Sequence, residues 1–271
     1  MNISDNFNLY PFKIEADGGN YASFSFIYDG KLLDQISCVI TLRTAGGMSL
    51  AAAREKFFSE FGTRDKKIFC CAQAHTRNVD LVTESDGRIR RDADGLVSKG
   101  RGIGLFVTVA DCLPVFLFDT VSGSFSVLHS GWRGTGIVEN ALALMKKVYH
   151  SKPENVAAVL GPCIHSCCYN VDEERALSYK KEFGGGEEMR VFPLGPVVQH
   201  KKNGAGMGWY IDMQAANAAL LAKNGVRNIA YCVNCTFTDE IFGSFRREGA
   251  RDYTKMIALA MDSGNAGIPE A

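Results

Sequence analysis

The sequence has no excess of either charge, because 30 Lys and Arg residues are balanced by 30 Asp and Glu residues. Proteins that bind nucleic acid backbones or anionic membrane surfaces normally carry a basic excess. The apolar runs are also shorter than the roughly 18 residues that a membrane-spanning helix needs. We therefore expect neither nucleic acid nor a membrane among its partners.

The amino terminus lacks the basic and apolar segments of a secretory signal. The nine cysteines are an odd number and include two adjacent pairs, Cys70/Cys71 and Cys167/Cys168, a pattern that disulfide frameworks rarely show. The cysteines are therefore predicted to be reduced thiols in a cytoplasmic protein.

No linker rich in proline, serine or charge interrupts the 271 residues. Strand and helix patterns alternate throughout, which predicts one domain over residues 1–271 with a frayed tail from about residue 264. Hairpin-connected strands in the centre and helices between the others favour an α+β layered sandwich with mixed β-sheets. Residues 193–208 are predicted to be a mobile loop, and KMIALAM (255–261) fits either a helix or a strand.

The most informative geometry lies between Asp111 and His129. VFLFD (115–119) and SFSVLH (124–129) are typical of buried strands joined by a tight turn. If they pair as a hairpin, Pro114 faces His129, and Cys112 lies on the same face of the sheet. Diagonal neighbours on a sheet are about 7–8 Å apart, close enough for the two side chains to bind one metal ion or each other. A cysteine in a buried segment is also commonly an ordinary packing residue.

Six motifs, in this order, resemble the laccase-domain family of multifunctional purine nucleoside phosphorylases, the YfiH-like proteins formerly called polyphenol oxidases. They are QAHTRNV, ADGLVS, TVADCLPVFLFD, LHSGWRGTG, LGPCIHSCCYNV and FGSFRREG. The resemblance extends over about residues 41–258. The pair ADCLP and HSGWRG is long and unusual, so the match is specific.

The resemblance implies a zinc site made by His75 of the Q-x-H motif, Cys112 of ADCLP and His129 of HSGWRG. It also implies phosphorolysis of adenosine, inosine, guanosine and methylthioadenosine to the free base and ribose 1-phosphate, and hydrolytic deamination of adenosine. Three protein ligands with a fourth position open are typical of a catalytic zinc ion. We therefore expect these residues to bind one Zn²⁺ and act in catalysis on purine nucleosides and phosphate, in a monomer or weak homo-oligomer.

Four arginines are candidates for binding substrate or phosphate. Arg133 is flanked by glycines, and its planar guanidinium suits a tetrahedral anion, although pairing with a carboxylate would explain it equally well. Arg43, Arg246 and Arg247 are candidates because the family also has arginines at these places.

Other residues near these motifs have predicted roles. Asp111 and Gln73 are expected to orient a metal ligand through hydrogen bonds. Trp132 is compatible with stacking on a purine, but an aromatic beside glycines is more often a packing residue. His165 replaces a glycine of the family, and residues 254–256 read Thr-Lys-Met instead of Gly-Arg-Met. The family's Asn-Leu-Gly motif is not found after residue 49, which leaves open a difference in substrate specificity.

The remaining cysteines allow two interpretations. Cys163, Cys167 and Cys168, together with Cys232 and Cys235, contain enough ligands for a second, structural zinc ion. A single C-x-x-C without a matching partner is weak evidence for such a site. We favour reduced cysteines with a structural role.

Three alternative functions fit the same residues. Five histidines without a His-x-His pair exclude the trinuclear cluster of a true laccase, but leave a mononuclear copper oxidoreductase acting on phenols as an alternative. Cys112 activated by His129 would make a thiol hydrolase or deamidase. A non-catalytic interaction module held together by zinc would use the same ligands.

Overall fold

The computed structural model describes residues 7–15, 17–47, 51–60, 66–87, 89–184, 194–203 and 206–263. The strands in these residues are β1 (Asn8–Phe12), β2 (Tyr21–Tyr28), β3 (Lys31–Thr41), β4 (Lys67–Ala72), β5 (Val79–Leu81), β6 (Ile89–Arg91), β7 (Gly95–Ser98), β8 (Ile103–Val109), β9 (Leu113–Asp119), β10 (Phe125–Ser130), β11 (Val156–Leu160), β12 (Asn170–Val171), β13 (Val198–Asn203), β14 (Gly206–Ile211), β15 (Asn228–Cys232) and β16 (Met256–Asp262). The helices are α1 (Ala51–Glu60), α2 (Ile137–Tyr149), α3 (Glu173–Phe183), α4 (Met213–Lys223) and α5 (Phe245–Glu248).

The strands form two large mixed sheets and one small antiparallel sheet. The seven-stranded sheet has the order β1-β15-β11-β9-β10-β7-β5, and the six-stranded sheet has the order β2-β3-β16-β8-β4-β6. The third sheet has the order β12-β14-β13. Both large sheets contain parallel and antiparallel pairs. The predicted α+β sandwich with mixed sheets is confirmed.

The two large sheets pack face to face, and helices cover their outer faces. Strand alternation divides the side chains of β9: Val115 and Leu117 pack with α2 and α4, whereas Phe116 and Phe118 pack between the sheets. The outer face of the six-stranded sheet packs against Phe57 of α1. The fold therefore has helix, sheet, sheet and helix layers, and the central strands are buried on both faces.

Two expectations for single segments are resolved by the sheets. The segment 255–261 is a strand, because β16 pairs with β3 and β8. The prediction of a loop over residues 193–208 is wrong for residues 198–203 and 206–208, since β13 and β14 form an antiparallel hairpin there. The side chains of β13 are partly or fully exposed on both faces, which removes the alternation that identifies a strand.

Three further predictions concern the cysteines, membrane-spanning helices and the carboxy-terminal tail. All nine cysteines are free thiols. Within the part of the chain that the structure describes, no helix is both long and apolar enough to cross a membrane. The predicted frayed tail lies outside the described residues.

Candidate metal centre and substrate cavity

The central hairpin has the register that the sequence predicts. β9 pairs with β10 so that Pro114 faces His129. Cys112 immediately precedes β9, and His129 is the next-to-last residue of β10. The hairpin therefore brings the thiol and the imidazole to the same end of the seven-stranded sheet.

His75 joins this pair from the loop that follows β4. The ligand atoms of His75, Cys112 and His129 all lie within 4.8 Å of one another, and the two imidazole ring centroids are 4.8 Å apart. Zinc bonds to nitrogen and sulfur of about 2.0–2.3 Å would place tetrahedral ligand atoms about 3.3–3.8 Å apart, so modest side-chain movement would suffice. The three side chains suit a metal ion with two nitrogen ligands and one sulfur ligand.

Asp94 orients two of these ligands. Its Oδ1 lies 2.8 Å from Nδ1 of His129, which leaves Nε2 available to a metal, and the same oxygen accepts the N–H of His75 at 2.9 Å. Its other oxygen accepts the N–H groups of Ala74 and Thr76 at 3.1 and 2.8 Å. Asp94 is not among the residues predicted to act at the site, although it lies within the ADGLVS motif that carries part of the resemblance.

The backbone around the three candidate ligands passes very close to their side chains. A Cβ atom on Gly131 would lie 3.1 Å from the Cys112 sulfur and 3.1 Å from Cδ2 of His75, closer than side chains normally approach. His75 and Asp111 adopt positive φ angles of 60° and 82°, a conformation that is costly for residues other than glycine. Such strain is commonly concentrated at functional sites.

Cys112 and His129 stabilise each other's charged form. Burial opposes a thiolate at Cys112, but the charge of His129 and hydrogen bonds from His129 and His75 lower the pKa of the thiol to about 6. Burial also opposes a charged ring at His129, yet the charge of Cys112 and the hydrogen bond to Asp94 raise the pKa of the imidazole to about 9. Burial would raise the pKa of Asp94 too, but the bonds from His129 and Thr76 hold it below its usual range. The metal-free centre therefore favours an ion pair.

The three candidate ligands open into a cavity of about 420 Å³. Its wall combines polar, aromatic and cationic side chains. The described lining residues are Gln73, His75, Thr108, Val109, Ala110, Asp111, Cys112, His129, Trp132, Ile164, Tyr169, Arg175, Met213, Phe245, Arg246, Tyr253 and Lys255. The cavity is large enough for a small organic substrate.

The four arginines predicted from the sequence occupy different places, and Arg246 is the one on the cavity wall. Its guanidinium lies over the ring of Tyr169 and donates to the backbone oxygen of Asn170 at 3.2 Å. The guanidinium of Arg247 donates to backbone carbonyls, including that of Phe237 at 3.0 Å.

Arg133 and Arg43 lie outside the cavity wall. The exposed Arg133 has its guanidinium over the ring of Trp132, at 5.1 Å from the centroid. Arg43 pairs with Glu240 at 3.5 Å. Both stay predictions as substrate-binding residues.

Asp111 and Gln73 hold neighbouring backbone segments in place. Asp111 accepts from the hydroxyl of Thr236 at 2.6 Å and from the backbone N–H of Arg246 at 2.7 Å. The side chain of Gln73 exchanges hydrogen bonds with the backbone of Thr108 at 2.7 and 2.8 Å. These contacts fix the cavity wall, and the predicted contact of either residue with a metal ligand stays a prediction.

Two cationic residues that were not predicted to bind substrate also line the cavity. Arg175, in the first turn of α3, lies over the ring of Trp132 at 4.5 Å from the centroid. Lys255 is the residue that replaces the arginine of the family's Gly-Arg-Met motif. His165, by contrast, is outside the described cavity wall, and its buried Nε2 has no hydrogen-bond partner among the described residues.

Comparison with known proteins gives the same family as the motifs. Residues 48–262 match the family model described as multi-copper polyphenol oxidoreductase laccase. The chain belongs to this laccase family. A purine nucleoside phosphorylase of Corynebacterium glutamicum is 29% identical over 205 residues, which are 74% of this chain and 77% of the relative. The adenosine deaminase RL5 of an unknown prokaryotic organism is 34% identical over 191 residues, 65% of this chain and 68% of the relative.

Two solved structures have the same fold. The YfiH protein of Bacillus licheniformis has a TM-score of 0.73 at 24% identity, covering 84% of this chain and 92% of that one. YlmD of Geobacillus stearothermophilus has a TM-score of 0.72, also at 24% identity, with the same coverage. These similarities confirm the YfiH-like architecture predicted from the motifs.

Proposed function

We propose that this chain is a zinc-dependent purine nucleoside phosphorylase that also deaminates adenosine. The supporting observation is that two imidazoles and one thiol converge on a cavity whose wall carries both aromatic rings and cations. Relatives named purine nucleoside phosphorylase and adenosine deaminase support the same reactions.

His75, Cys112 and His129 would hold the zinc ion. Their donor set fits zinc because imidazole and thiolate are its preferred ligands, and because Asp94 presents His129 in the required orientation. When bound in such a three-ligand site, zinc supplies Lewis-acid activation of water or of a substrate oxygen.

The aromatic residues of the wall suit the purine ring. Trp132, Tyr169, Phe245 and Tyr253 line the cavity together with the apolar Met213. Flat rings of this kind bind a nucleobase by stacking and exclude water from it. They would hold the nucleoside while leaving its sugar exposed to the polar part of the cavity.

Arg175, Arg246 and Lys255 would bind phosphate. Arginine forms paired hydrogen bonds with phosphate oxygens, and lysine adds a compact positive charge. In phosphorolysis a phosphate oxygen bonds to C1′ of the ribose while the C1′–N9 bond breaks and its electron pair leaves with the base. Fixed cations would position the phosphate for this step and would stay close to its negative oxygens as the new bond forms.

Deamination would use the same base pocket. Water adds to C6 of adenosine and ammonia leaves, giving inosine, so this reaction needs no phosphate. The balance between the two reactions would then depend on whether phosphate occupies the cationic part of the wall.

The decisive experiment measures metal content and products together. Zinc-loaded protein is expected to convert adenosine to adenine and ribose 1-phosphate with phosphate present, and to inosine without it. Pure zinc-loaded protein that forms neither base nor inosine would refute the proposal. Copper-loaded protein that oxidises phenols, with no turnover of nucleosides, would instead support the copper alternative.

Removing a ligand is the matching test by substitution. His75→Ala and Cys112→Ala are expected to lose the zinc ion bound at this centre and to reduce turnover by more than about 100-fold, the upper range seen when a residue that only orients a ligand is lost. His200→Ala, at an exposed strand position, is the control and keeps the wild-type zinc content and turnover. A variant that binds as many zinc ions per chain as the wild type removes that residue from the ligand set.

One observation favours the thiol hydrolase as a second candidate. The thiol of Cys112 is hydrogen-bonded to the imidazole of His129, and the carboxylate of Asp94 contacts Nδ1 of the same ring. This order of thiol, imidazole and carboxylate is the one that thiol hydrolases use. Metal-free protein that hydrolyses amide substrates, and loses this activity when Cys112 is alkylated, would support this candidate. If zinc addition protects Cys112 from alkylation and starts nucleoside turnover, the phosphorylase is supported.

A further inference from the structure

A second group of sulfur atoms lies beside the cavity wall, outside the proposed catalytic centre. The Sγ atoms of Cys167, Cys168 and Cys235 all lie within 4.8 Å of one another, and those of Cys167 and Cys168 are 3.4 Å apart. In a tetrahedral zinc thiolate with bonds of about 2.3 Å, the sulfur atoms are about 3.8 Å apart. The three thiols are therefore spaced for one metal ion.

The backbone brings these cysteines together from distant parts of the chain. Cys163 and Cys235 form a parallel bridge, and the N–H of Thr236 donates to the carbonyl of Cys163 at 3.0 Å. Past this bridge the first segment turns back, since the N–H of Cys168 donates to the carbonyl of His165 at 2.9 Å. The turn places two adjacent thiols over the buried sulfur of Cys235.

The surroundings of Cys235 suit a thiolate. The backbone N–H of His165 donates to the sulfur of Cys235 at 3.4 Å, a contact that also supports thiolate ligands in metal sites. Burial raises the pKa of the Cys168 thiol, and the charge of Lys201 offsets part of that rise. A bound cation would supply the positive charge that the other two thiolates need.

Access also differs within the group. Cys167 is exposed, Cys168 is half-buried and Cys235 is buried. A metal ion could therefore enter from solvent and still gain one ligand fixed in the core.

We propose that Cys167, Cys168 and Cys235 form a second metal site, an all-thiolate site for a soft cation, Zn²⁺ or Cu⁺. Thiolate ligands select these ions over harder cations. Binding would join the loop around residue 167 to the loop around residue 235, two segments next to the cavity lining residues Ile164 and Tyr169. The site does not depend on the proposed nucleoside reactions, so each can fail separately.

The test is metal stoichiometry on the full chain. Reduced, metal-free protein is loaded anaerobically with excess Zn²⁺, or separately with Cu⁺, then desalted and analysed. Wild type is expected to retain two ions per chain, and Cys167→Ser/Cys235→Ser only one. His75→Ala/Cys112→Ala is also expected to retain one, at the three-cysteine site. Cys70→Ser, at a half-buried cysteine of β4 outside both groups, is the control and keeps two.

A spectroscopic measurement identifies the ligands independently. With Co²⁺ as the probe, His75→Ala/Cys112→Ala is expected to show about three times the sulfur charge-transfer absorbance per ion of Cys167→Ser/Cys235→Ser, because three sulfurs replace one. Cys167→Ser alone changes an exposed position and serves if the double variant fails to fold. The proposal is overturned if Cys167→Ser/Cys235→Ser retains as many ions per chain as wild type with both metals, or if folded Cys167→Ser keeps the wild-type number of ions and an unchanged Co²⁺ spectrum.

Discussion

The two sulfur-containing clusters of this protein are held in different ways. His75, Cys112 and His129 form a cluster that we call the catalytic cluster after its proposed role. Two of its candidate ligands come from a β-hairpin, and a carboxylate fixes the segment of the third. The three-cysteine cluster comes from two loops, joined by one backbone bridge. The catalytic cluster is therefore preorganised by the sheet, whereas the three-cysteine cluster would depend more on a bound metal ion to fix its side chains.

Hydrogen bonds of Asp111 and Arg246 connect these two clusters. Asp111, next to Cys112, accepts from Thr236, next to Cys235, and also from the backbone of Arg246. Arg246 in turn donates to Asn170, close to Cys168. Substitutions along this path can show whether the clusters act independently.

The largest expected effect comes from Asp94→Ala. The change removes the hydrogen bond that orients His129 and the acceptor for the His75 N–H. We expect metal affinity at the catalytic cluster to fall about 100-fold, with no change at the three-cysteine cluster. Metal titration of each cluster separately, in variants lacking the other, measures both values. Equal weakening at the two clusters would contradict their independence.

Arg246→Ala tests the path between the clusters. Loss of a charge-assisted contact to phosphate is expected to raise the KM for phosphate about 10-fold, equivalent to about 1.4 kcal/mol, while both metal sites stay filled. Arg133→Ala, at the exposed position outside the cavity, is the matched control and should leave this KM unchanged. If Arg133→Ala raises the KM for phosphate and Arg246→Ala does not, Arg133 is the residue that binds phosphate.

Gly131→Ala tests how closely the catalytic ligands are packed. The added methyl group would lie 3.1 Å from both the Cys112 sulfur and the His75 ring. A strain of about 1 kcal/mol would weaken metal binding about fivefold at this cluster alone. Gly47→Ala adds a methyl group with nothing within 4 Å and is the control. Unchanged binding in Gly131→Ala would show that the ligands move apart at no cost.

The smallest effect is expected from Asp172→Ala at the start of α3. The Asp172 side chain accepts the backbone N–H of Arg175 at 2.8 Å and so caps the helix that follows the three-cysteine loop. Its loss should lower the midpoint of denaturant unfolding slightly, because one backbone N–H of the first turn loses its acceptor. Asp172→Asn, which keeps the cap, should be close to wild type. A large loss in metal binding would mean that the loop depends on this helix.

The sequence predicts the placement of Cys112 beside His129, because local geometry determines it. Turn position fixes the register of a hairpin, so the pairing of Pro114 with His129 follows from the chain itself. His75 was assigned through family resemblance, since its approach depends on packing between distant strands. Asp94 has no local pattern that distinguishes it from an ordinary turn carboxylate, and its role becomes visible only with the fold.

The loops and mixed surfaces are harder to predict. β13 has polar side chains on both faces, so nothing in its sequence separates it from a loop. β16 is apolar on both faces because it lies between two cores, and such a run fits a buried helix equally well. The meeting of Cys235 with Cys167 depends on a bridge between segments about 70 positions apart in the sequence, which no spacing rule could give.

Trp132 gives the cavity an optical reporter of its own. It is one of two tryptophans, and its indole contacts the guanidinium groups of Arg133 and Arg175 at the cavity wall. The other, Trp209, stacks on His200 in a separate hairpin. A ligand that displaces Arg175 would change the emission of Trp132, so occupancy of the cavity can be followed by intrinsic fluorescence, with Trp209 as the background to subtract.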